Sequence, residues 1–128
     1  MRSEFDVKEE HSVKALIKSF QHAFCGILTS FVIGRNIKVH YIAALAAILG
    51  GLYFGISKVE FLIILLVSTQ VICLEMVNTA IERTVDLVTV EYHLYAKIAK
   101  DVAAGAVLVA AIFAIIIGGI IFLPYIFK

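Results

Sequence analysis

The sequence predicts an all-α integral membrane protein with an N-terminal amphipathic surface helix and three transmembrane helices. Of its residues, 62% are hydrophobic and only 16% are charged, and the mean hydropathy is +1.00. Soluble domains are usually about 45–50% apolar and about 25% charged. A chain of 128 residues offers too small a core to bury so much apolar surface, so lipid is its expected solvent. We expect a single domain.

The N-terminal region predicts a polar tail followed by a helix on the membrane surface. Residues 1–11 are polar and acidic and lack the apolar segment of a signal peptide. Over residues 12–33, with Ser12 as the expected N-cap, apolar side chains recur at helical spacing, and Lys14 and Lys18 lie on the opposite side. This pattern suits a membrane surface, whereas a soluble helix packed on a core is the alternative.

The next two segments predict transmembrane helices at residues 39–56 and 59–87. The glycine pair at 50–51 and the turn residues at 55–58 predict a tight turn between these two helices. The uncharged part of the second segment is too short to cross about 30 Å of hydrocarbon. That helix must therefore continue past Glu75, which places a carboxylate in or at the edge of the membrane.

The third span is predicted at residues 100–127, after a polar connection over 89–100. Ala106, Ala110, Ala114 and Gly118 recur every four residues, which predicts a face where helices pack closely. The basic residues predict a cytoplasmic N-terminus and an extracytoplasmic C-terminus, because nine of them fall on one side of the membrane and two on the other. Their scattered positions and the net charge of +1 argue against a nucleic-acid partner.

A polar stripe on the second span is the candidate site. At about 100° per residue, five polar side chains share one face of this helix, Val77 and Ala80 lie opposite, and Arg83 lies on the flank. Carboxylates at membrane depth cost about 2.5–3.5 kcal/mol each on insertion scales, so a partner is expected. The members of the stripe are Glu75, Asn78, Thr79, Glu82 and Asp86.

These residues favour a site for a divalent metal and a phosphorylated ligand, since hard cations prefer oxygen ligands. Lys100, Lys97, Arg35 and Lys38 are the candidate phosphate-binding cations. One alternative is an interhelical polar network paired with Lys or Arg. Another is a small transporter or channel whose acids bind a cation.

Two further polar groups flank the same end of the membrane. Residues 91–93 contain Glu, Tyr and His, and Lys100 and Asp101 begin the third span. The alternatives are a solvated surface loop and a simple charge pair at a helix start, where an acid interacts favourably with the helix dipole.

The stretch EMVNTAIERTVD at residues 75–86 closely resembles the signature of the prokaryotic diacylglycerol kinase family, which includes the undecaprenol kinases of Gram-positive bacteria. EYH at 91–93 and AKD at 99–101 recur at the family's spacing. SFQHAFCG at 19–26 and RNIKVH at 35–40 resemble the Gram-positive branch. The resemblance covers nearly the whole chain from Ser12.

This resemblance implies a homotrimeric kinase of the bacterial plasma membrane, with residues 1–128 forming one membrane kinase domain. It would transfer the γ-phosphoryl group of ATP to a membrane lipid hydroxyl with Mg²⁺. Glu75 is then similar to the family's general base, Asn78 to its polar organiser and Glu82 to its metal ligand. The positions that resemble ATP contacts are His22, Asn78, Glu82, Glu91, Tyr92, His93, Lys100 and Asp101.

One position departs from the family pattern. Gly34 stands where the family usually has a second metal-binding glutamate, and its loss is expected to weaken Mg²⁺ binding and impair activity. An inactivating substitution, a natural variant with altered metal dependence and a noncatalytic homologue remain open, and a glycine that simply ends the surface helix is a further alternative.

The resulting expectation is an ATP-dependent lipid kinase that prefers undecaprenol, on the strength of the Gram-positive motifs. The alternatives are a diacylglycerol kinase and a catalytically silent protein that binds nucleotide or lipid.

Overall fold

The chain is all-helical in a computed structural model that describes residues 4–34 and 36–128, with side chains described from residue 12 onward. The four helices are α1 (Glu4–Ile33), α2 (Ile37–Phe54), α3 (Lys58–Val88) and α4 (Leu94–Ile126). Each is long and apolar enough to cross a membrane by length and composition. Helix α1 forms one compact unit and residues 34–128 form the other.

Helix α1 begins earlier than the sequence predicted. It starts at Glu4 and runs unbroken to Ile33, so Ser12 lies inside the helix and its prediction as the N-cap is wrong. Residues 4–11 contain Lys and Glu, which are good helix formers, and no Gly or Pro to end the helix. The described side chains of α1 are almost all exposed, and Ser30 is the buried exception.

Helix α2 ends at Phe54, and Gly55 follows it in a left-handed conformation with φ of 62°. A side chain is strained there, which explains the glycine. The prediction of a turn at Gly50–Gly51 is wrong, because both residues lie inside the helix. Gly51 instead allows close packing: a Cβ atom at this position would lie 2.9 Å from the Ile56 side chain and 3.2 Å from the Phe61 side chain, so these side chains would have to shift.

Helix α3 is the central element of the second unit and packs against both α2 and α4, whereas α2 and α4 scarcely touch each other. Its first turn has a capping box: the backbone N–H of Ser57 donates to Glu60 Oε2 at 2.8 Å, and that of Glu60 donates to Ser57 Oγ at 3.3 Å. Tyr125, near the end of α4, also donates to Glu60 Oε2 at 2.8 Å. We call this end of the bundle the far end.

The core is small and most large apolar side chains are exposed, as expected for helices that face lipid. Ile37 and Ile64 are the most completely buried apolar side chains. The other end of the bundle contains the start of α2, the end of α3 and the start of α4, and we call it the site end. Helix α4 begins at Leu94, so Lys97, Lys100 and Asp101 lie within its first turns.

Candidate functional site

The polar stripe of α3 is buried at its centre and exposed toward the site end. Glu75 is 3% exposed, Asn78 is 5% exposed and Thr79 is also buried. Glu82 is half-buried and Asp86 is exposed. On the opposite face, Val77 and Ala80 are exposed, as the helical spacing predicted. The α3 helix therefore turns its two most buried polar side chains away from lipid.

Asn78 has one satisfied and one unsatisfied amide atom. Its Nδ2 donates to Glu82 Oε1 at 3.4 Å, one helical turn further along. Its Oδ1 is buried and has no hydrogen-bond partner in the described part of the chain. Leaving a buried acceptor unpaired costs about 1–3 kcal/mol, and such a group calls for an explanation such as a ligand or an ion. By contrast, the Thr79 hydroxyl donates to the Glu75 carbonyl at 2.9 Å.

Glu75 and Asn78 line a cavity of about 290 Å³, which we call the Glu75 cavity. Asn36, which precedes α2, and His40 of α2 lie on another wall, and Ala104 and Val107 are among the α4 residues that complete it. Asn36 precedes α2 at the N-cap position, but its side chain makes no capping hydrogen bond. This cavity combines polar side chains from two helices with an apolar wall from the third.

Sequence reasoning assigned no role to Asn36 or His40. Both belong to the RNIKVH stretch, and their spacing of four residues places them one helical turn apart on the same side, Asn36 at the N-cap and His40 in the first turn of α2. That spacing, together with polar residues at the start of an apolar helix, is the signal that could have identified them.

A second cavity, of about 260 Å³, lies between the end of α3 and the start of α4, and we call it the loop cavity. The loop is held by Thr89, whose Oγ1 donates to the Glu91 carbonyl and accepts from the Glu91 N–H, each at 3.2 Å. The rings of His93 and Tyr95 lie 5.7 Å apart between centroids. This cavity brings together five of the predicted site residues: Glu91, Tyr92, His93, Lys100 and Asp101.

Two ion pairs border the loop cavity. Lys100 Nζ donates to Asp86 Oδ1 at 2.5 Å and so connects α4 to the polar stripe of α3. Lys97 pairs with Asp101 one turn apart on α4. The alternative of a charge pair between Lys100 and Asp101 is therefore wrong, because adjacent residues of a helix do not face each other and each of the two has a different partner.

Most of the predicted site residues thus line one of two cavities. Glu82 lies between these cavities on α3 and is bonded to Asn78. The alternative of an interhelical network holds for Asp86 but not for Glu75 or Glu82, neither of which forms an ion pair among the described residues. His22 is exposed on α1, in the other unit. Gly34 is buried and follows the last residue of α1 in the chain.

The oxygen donors of the stripe fit a hard cation that takes only part of its ligands from the protein. The described residues contain no group of three or more His, Cys, Asp or Glu side chains able to hold a metal alone. The Glu82 carboxylate and the orphaned Oδ1 of Asn78 do provide oxygen ligands on one side of α3. Mg²⁺ typically binds one or two protein carboxylates together with substrate phosphates, which suits this set.

Comparisons with known proteins give a consistent result. Residues 21–122 match the model of the family described as prokaryotic diacylglycerol kinase. The undecaprenol kinase of Bacillus subtilis is 45% identical over 114 residues, which cover 89% of this chain and 93% of that protein. A diacylglycerol kinase of Synechocystis is 43% identical over 110 residues, 85% of this chain and 63% of that protein. The diacylglycerol kinase of Escherichia coli K12 is 27% identical over 101 residues, 79% of this chain and 83% of that protein.

Proposed function

This chain belongs to the prokaryotic diacylglycerol kinase family and is a multi-pass membrane lipid kinase, and on that premise we propose that it transfers the γ-phosphoryl group of ATP to the hydroxyl of undecaprenol. The observation that supports this acceptor is the 45% identity to the Bacillus subtilis undecaprenol kinase over 93% of that protein. The nearly complete burial of Glu75 beside a cavity supports the site of the chemistry.

Glu75 is the general base in this proposal. The acceptor O–H bond breaks as its proton passes to the Glu75 carboxylate, and the acceptor oxygen forms a bond to the γ-phosphorus. The bond from that phosphorus to the β–γ bridging oxygen breaks, and ADP leaves with the electron pair. Positioning and charge neutralisation account for most of the catalysis in phosphoryl transfer, and burial of Glu75 excludes competing water.

Asn78 and Glu82 organise the centre of the site. The Asn78 Nδ2 donates to Glu82 and fixes its carboxylate, while the Asn78 Oδ1 has no hydrogen-bond partner among the described residues and can accept from a donor or bind a cation. Glu82, with Asn78, would hold Mg²⁺, which when bound neutralises charge on the β- and γ-phosphates.

The loop cavity is the proposed nucleotide site. Lys100 provides a positive charge between its walls, and Glu91, Tyr92, His93 and Asp101 line the same space. Lys100 is paired with Asp86 in the ligand-free chain. In this proposal the ATP phosphates therefore compete with Asp86 for Lys100. His22 of α1 is a further proposed ATP-binding residue, on the family resemblance alone.

The proposed membrane arrangement treats the whole chain as one kinase domain in the bacterial plasma membrane. Helix α1 lies on the cytoplasmic surface, because its charged residues are opposite its apolar ones, and α2, α3 and α4 cross the bilayer. The N-terminus is cytoplasmic and the C-terminus is extracytoplasmic. Three copies assemble through the small residues of α4.

A diacylglycerol acceptor is the second candidate, supported by the 43% identity to the Synechocystis diacylglycerol kinase. A catalytically silent homologue is the third, and the glycine at position 34 is the observation that favours it. In our proposal Gly34 lowers the affinity for Mg²⁺ and reduces activity without abolishing it.

The decisive experiment measures phosphate transfer from labelled ATP to undecaprenol and to dioleoylglycerol in mixed micelles. We compare the unaltered chain with Gly34→Glu and with Gly26→Glu as the matched control, since a Cβ atom at Gly26 meets nothing within 4 Å. We expect faster transfer to undecaprenol than to dioleoylglycerol. We also expect Gly34→Glu, but not Gly26→Glu, to reach full activity at a lower Mg²⁺ concentration than the unaltered chain. If neither the unaltered chain nor Gly34→Glu phosphorylates any lipid alcohol, the proposed function is wrong.

A further inference from the structure

The far end of the bundle contains a cavity of about 380 Å³ between the last turn of α2 and the first turn of α3, which we call the Lys58 cleft. It shares no lining residue with the Glu75 cavity or the loop cavity. Lys58 is the one charged side chain among the described residues that line it. The other side chains of the cleft are apolar, and they are Leu52, Ile56, Phe61 and Leu62.

Two glycines form the α2 wall of the cleft. Gly51 and Gly55 are four residues apart, and both line the cavity. The Gly51 carbonyl already accepts the backbone N–H groups of Gly55 and Ile56. The ammonium group of Lys58 is therefore the charged group that the cleft offers to a ligand.

The charge of Lys58 is not neutralised within the described part of the chain. Lys58 is exposed and forms no ion pair there. Glu60 is the nearest acid along the sequence, but it lies about 200° around α3 from Lys58, and one of its oxygens accepts from Tyr125. Phe61 and Leu62, by contrast, lie within about 60° of Lys58. The first turn of α3 thus directs its negative charge toward α4 and its positive charge toward the cleft.

The length of α2 places the cleft at the membrane surface. Helix α2 has 18 residues and is therefore about 27 Å long at 1.5 Å per residue. The hydrocarbon core of a bilayer is about 30 Å thick, so the turn after α2 lies near the edge of the hydrocarbon in the proposed membrane arrangement. Lysine side chains at this depth extend toward the headgroups and keep their methylene groups on apolar surface. Phosphates of lipid headgroups are the anions of that layer.

We propose that the Lys58 cleft binds an anionic phospholipid from the leaflet at the far end, with the lipid phosphate on the Lys58 ammonium group and an acyl chain between Leu52 and Leu62. Both leucines are exposed, one on α2 and one on α3. An ammonium group and a phosphate form charge-assisted hydrogen bonds, which are stronger than those between neutral groups. The bound lipid bridges α2 and α3. This inference rests on the proposed membrane arrangement and is independent of kinase activity.

A second copy of the chain is the competing occupant, because glycines four residues apart can let two membrane helices pack closely. Gly55, however, follows α2 in a left-handed conformation, so Gly51 and Gly55 do not lie on one continuous helix. A helix packed there would also bury the Lys58 charge against apolar side chains, which is unfavourable without a paired acid. The charge at the cleft therefore favours a lipid.

Binding is measured without ATP, so the result does not depend on turnover. The full chain in detergent is titrated with dioleoylphosphatidylglycerol or dioleoylphosphatidylcholine, and bound lipids are counted by native mass spectrometry. We expect tighter binding of the anionic lipid, with no displacement by an equal concentration of glycerol 3-phosphate. Equal binding of the two lipids, or displacement by glycerol 3-phosphate, would contradict a site that needs both the charge and the acyl chain.

Substitutions of Lys58 test the phosphate contact. Lys58→Ala should weaken binding of dioleoylphosphatidylglycerol about fivefold, as expected for one basic residue at a membrane surface, and Lys58→Arg should retain it. Lys128→Ala is the matched control, because Lys128 is also exposed at the far end but does not line the cleft. Equal losses for Lys58→Ala and Lys128→Ala would show a diffuse effect of charge and overturn the inference. A lower unfolding midpoint of lipid-free Lys58→Ala would assign Lys58 a structural role instead.

The acyl-chain contact is tested with a matched pair of residues on α3. Leu62 is 64% exposed and Val59 is 67% exposed, but only Leu62 is among the residues that line the cleft. Leu62→Trp should fill part of the cleft and weaken binding of dioleoylphosphatidylglycerol, whereas Val59→Trp should leave it near the original value. Equal effects of the two variants would contradict a lipid in the cleft. If Leu62→Trp instead changes the number of chains in the complex, the cleft is a contact between copies and the inference is wrong.

Discussion

Tyr125 donates a hydrogen bond from its phenolic oxygen to Glu60 Oε2 at 2.8 Å and so ties the last turn of α4 to the first turn of α3. The same carboxylate oxygen accepts the backbone N–H of Ser57 in the capping box. One side chain therefore both starts a helix and joins two helices. This connection lies at the far end, opposite the two cavities that contain the candidate site.

Tyr125→Phe should lower the thermal unfolding midpoint by a few degrees, because it removes the hydrogen bond between α4 and Glu60 and keeps the ring. The midpoint is measured by circular dichroism in detergent. Tyr53→Phe is the matched control, since Tyr53 is 85% exposed and contacts the ring of Phe54. Equal midpoints for the two variants would show that the Tyr125 bond contributes nothing measurable.

Glu75→Gln should reduce kcat about 100-fold or more, because an amide cannot take the proton of the acceptor hydroxyl. The KM for ATP should change little, since Glu75 lines a different cavity from the proposed nucleotide site. Both constants come from a lipid-kinase assay. Glu60→Gln is the control on the same helix, and Gln is also accepted in a capping box. A Glu75→Gln variant with near-normal kcat would exclude this residue as the base.

Lys100→Ala should raise the KM for ATP at least about tenfold, because the variant loses a charged contact to phosphate. The same change removes the ion pair with Asp86, so Asp86→Asn and the double variant are measured as well. If Lys100 binds ATP, Asp86→Asn alone should leave the KM nearly unchanged or lower it. Lys58→Ala, at the far end, is the control for the loss of a positive charge. If Lys100→Ala and Asp86→Asn raise the KM for ATP equally, Lys100 has only a structural role.

Asn78→Leu should reduce activity strongly and yet stabilise the ligand-free protein by about 1 kcal/mol. The change removes a buried oxygen for which the described residues provide no partner, but it also removes the donor to Glu82. Chemical denaturation and the kinase assay measure the two effects. Thr79→Val is the control, because it deletes a buried hydroxyl that is already bonded to the Glu75 carbonyl and should bring no gain in stability. A less stable Asn78→Leu protein would show that Oδ1 is satisfied in the membrane.

Much of the fold was readable from the sequence because hydrophobic runs and glycines mark membrane helices well. A helix was predicted at residues 59–87 and is observed at Lys58–Val88. The predictions of helix ends were wrong where one residue type favours a cap or a turn and its neighbours favour a continuous helix. Ser12 is a good N-cap residue, but the Glu- and Lys-containing residues before it continue α1. The glycine pair at 50–51 suggested a turn, whereas Gly51 lies inside α2 and lets the Ile56 and Phe61 side chains approach closely.

The site was predictable only where its residues share one helix. Helical spacing placed Glu75, Asn78 and Thr79 on one face, and all three are buried there. Spacing along a helix does not reveal which residue of another helix lies opposite, so the presence of His40 in the Glu75 cavity was missed. For the same reason, the partner of Lys100 is Asp86, fourteen residues away, and not its neighbour Asp101.

The two ends of the bundle are held by chemically different bonds. At the far end, Glu60 is fixed by a phenol and by a backbone amide, neither of which carries charge. At the site end, α3 and α4 are joined by an exposed ion pair, and dissolved ions weaken such pairs. Raising the ionic strength should therefore weaken the contact between α3 and α4 at the site end, where nucleotide is proposed to enter. The hydrogen bonds of Glu60 at the far end should be affected much less.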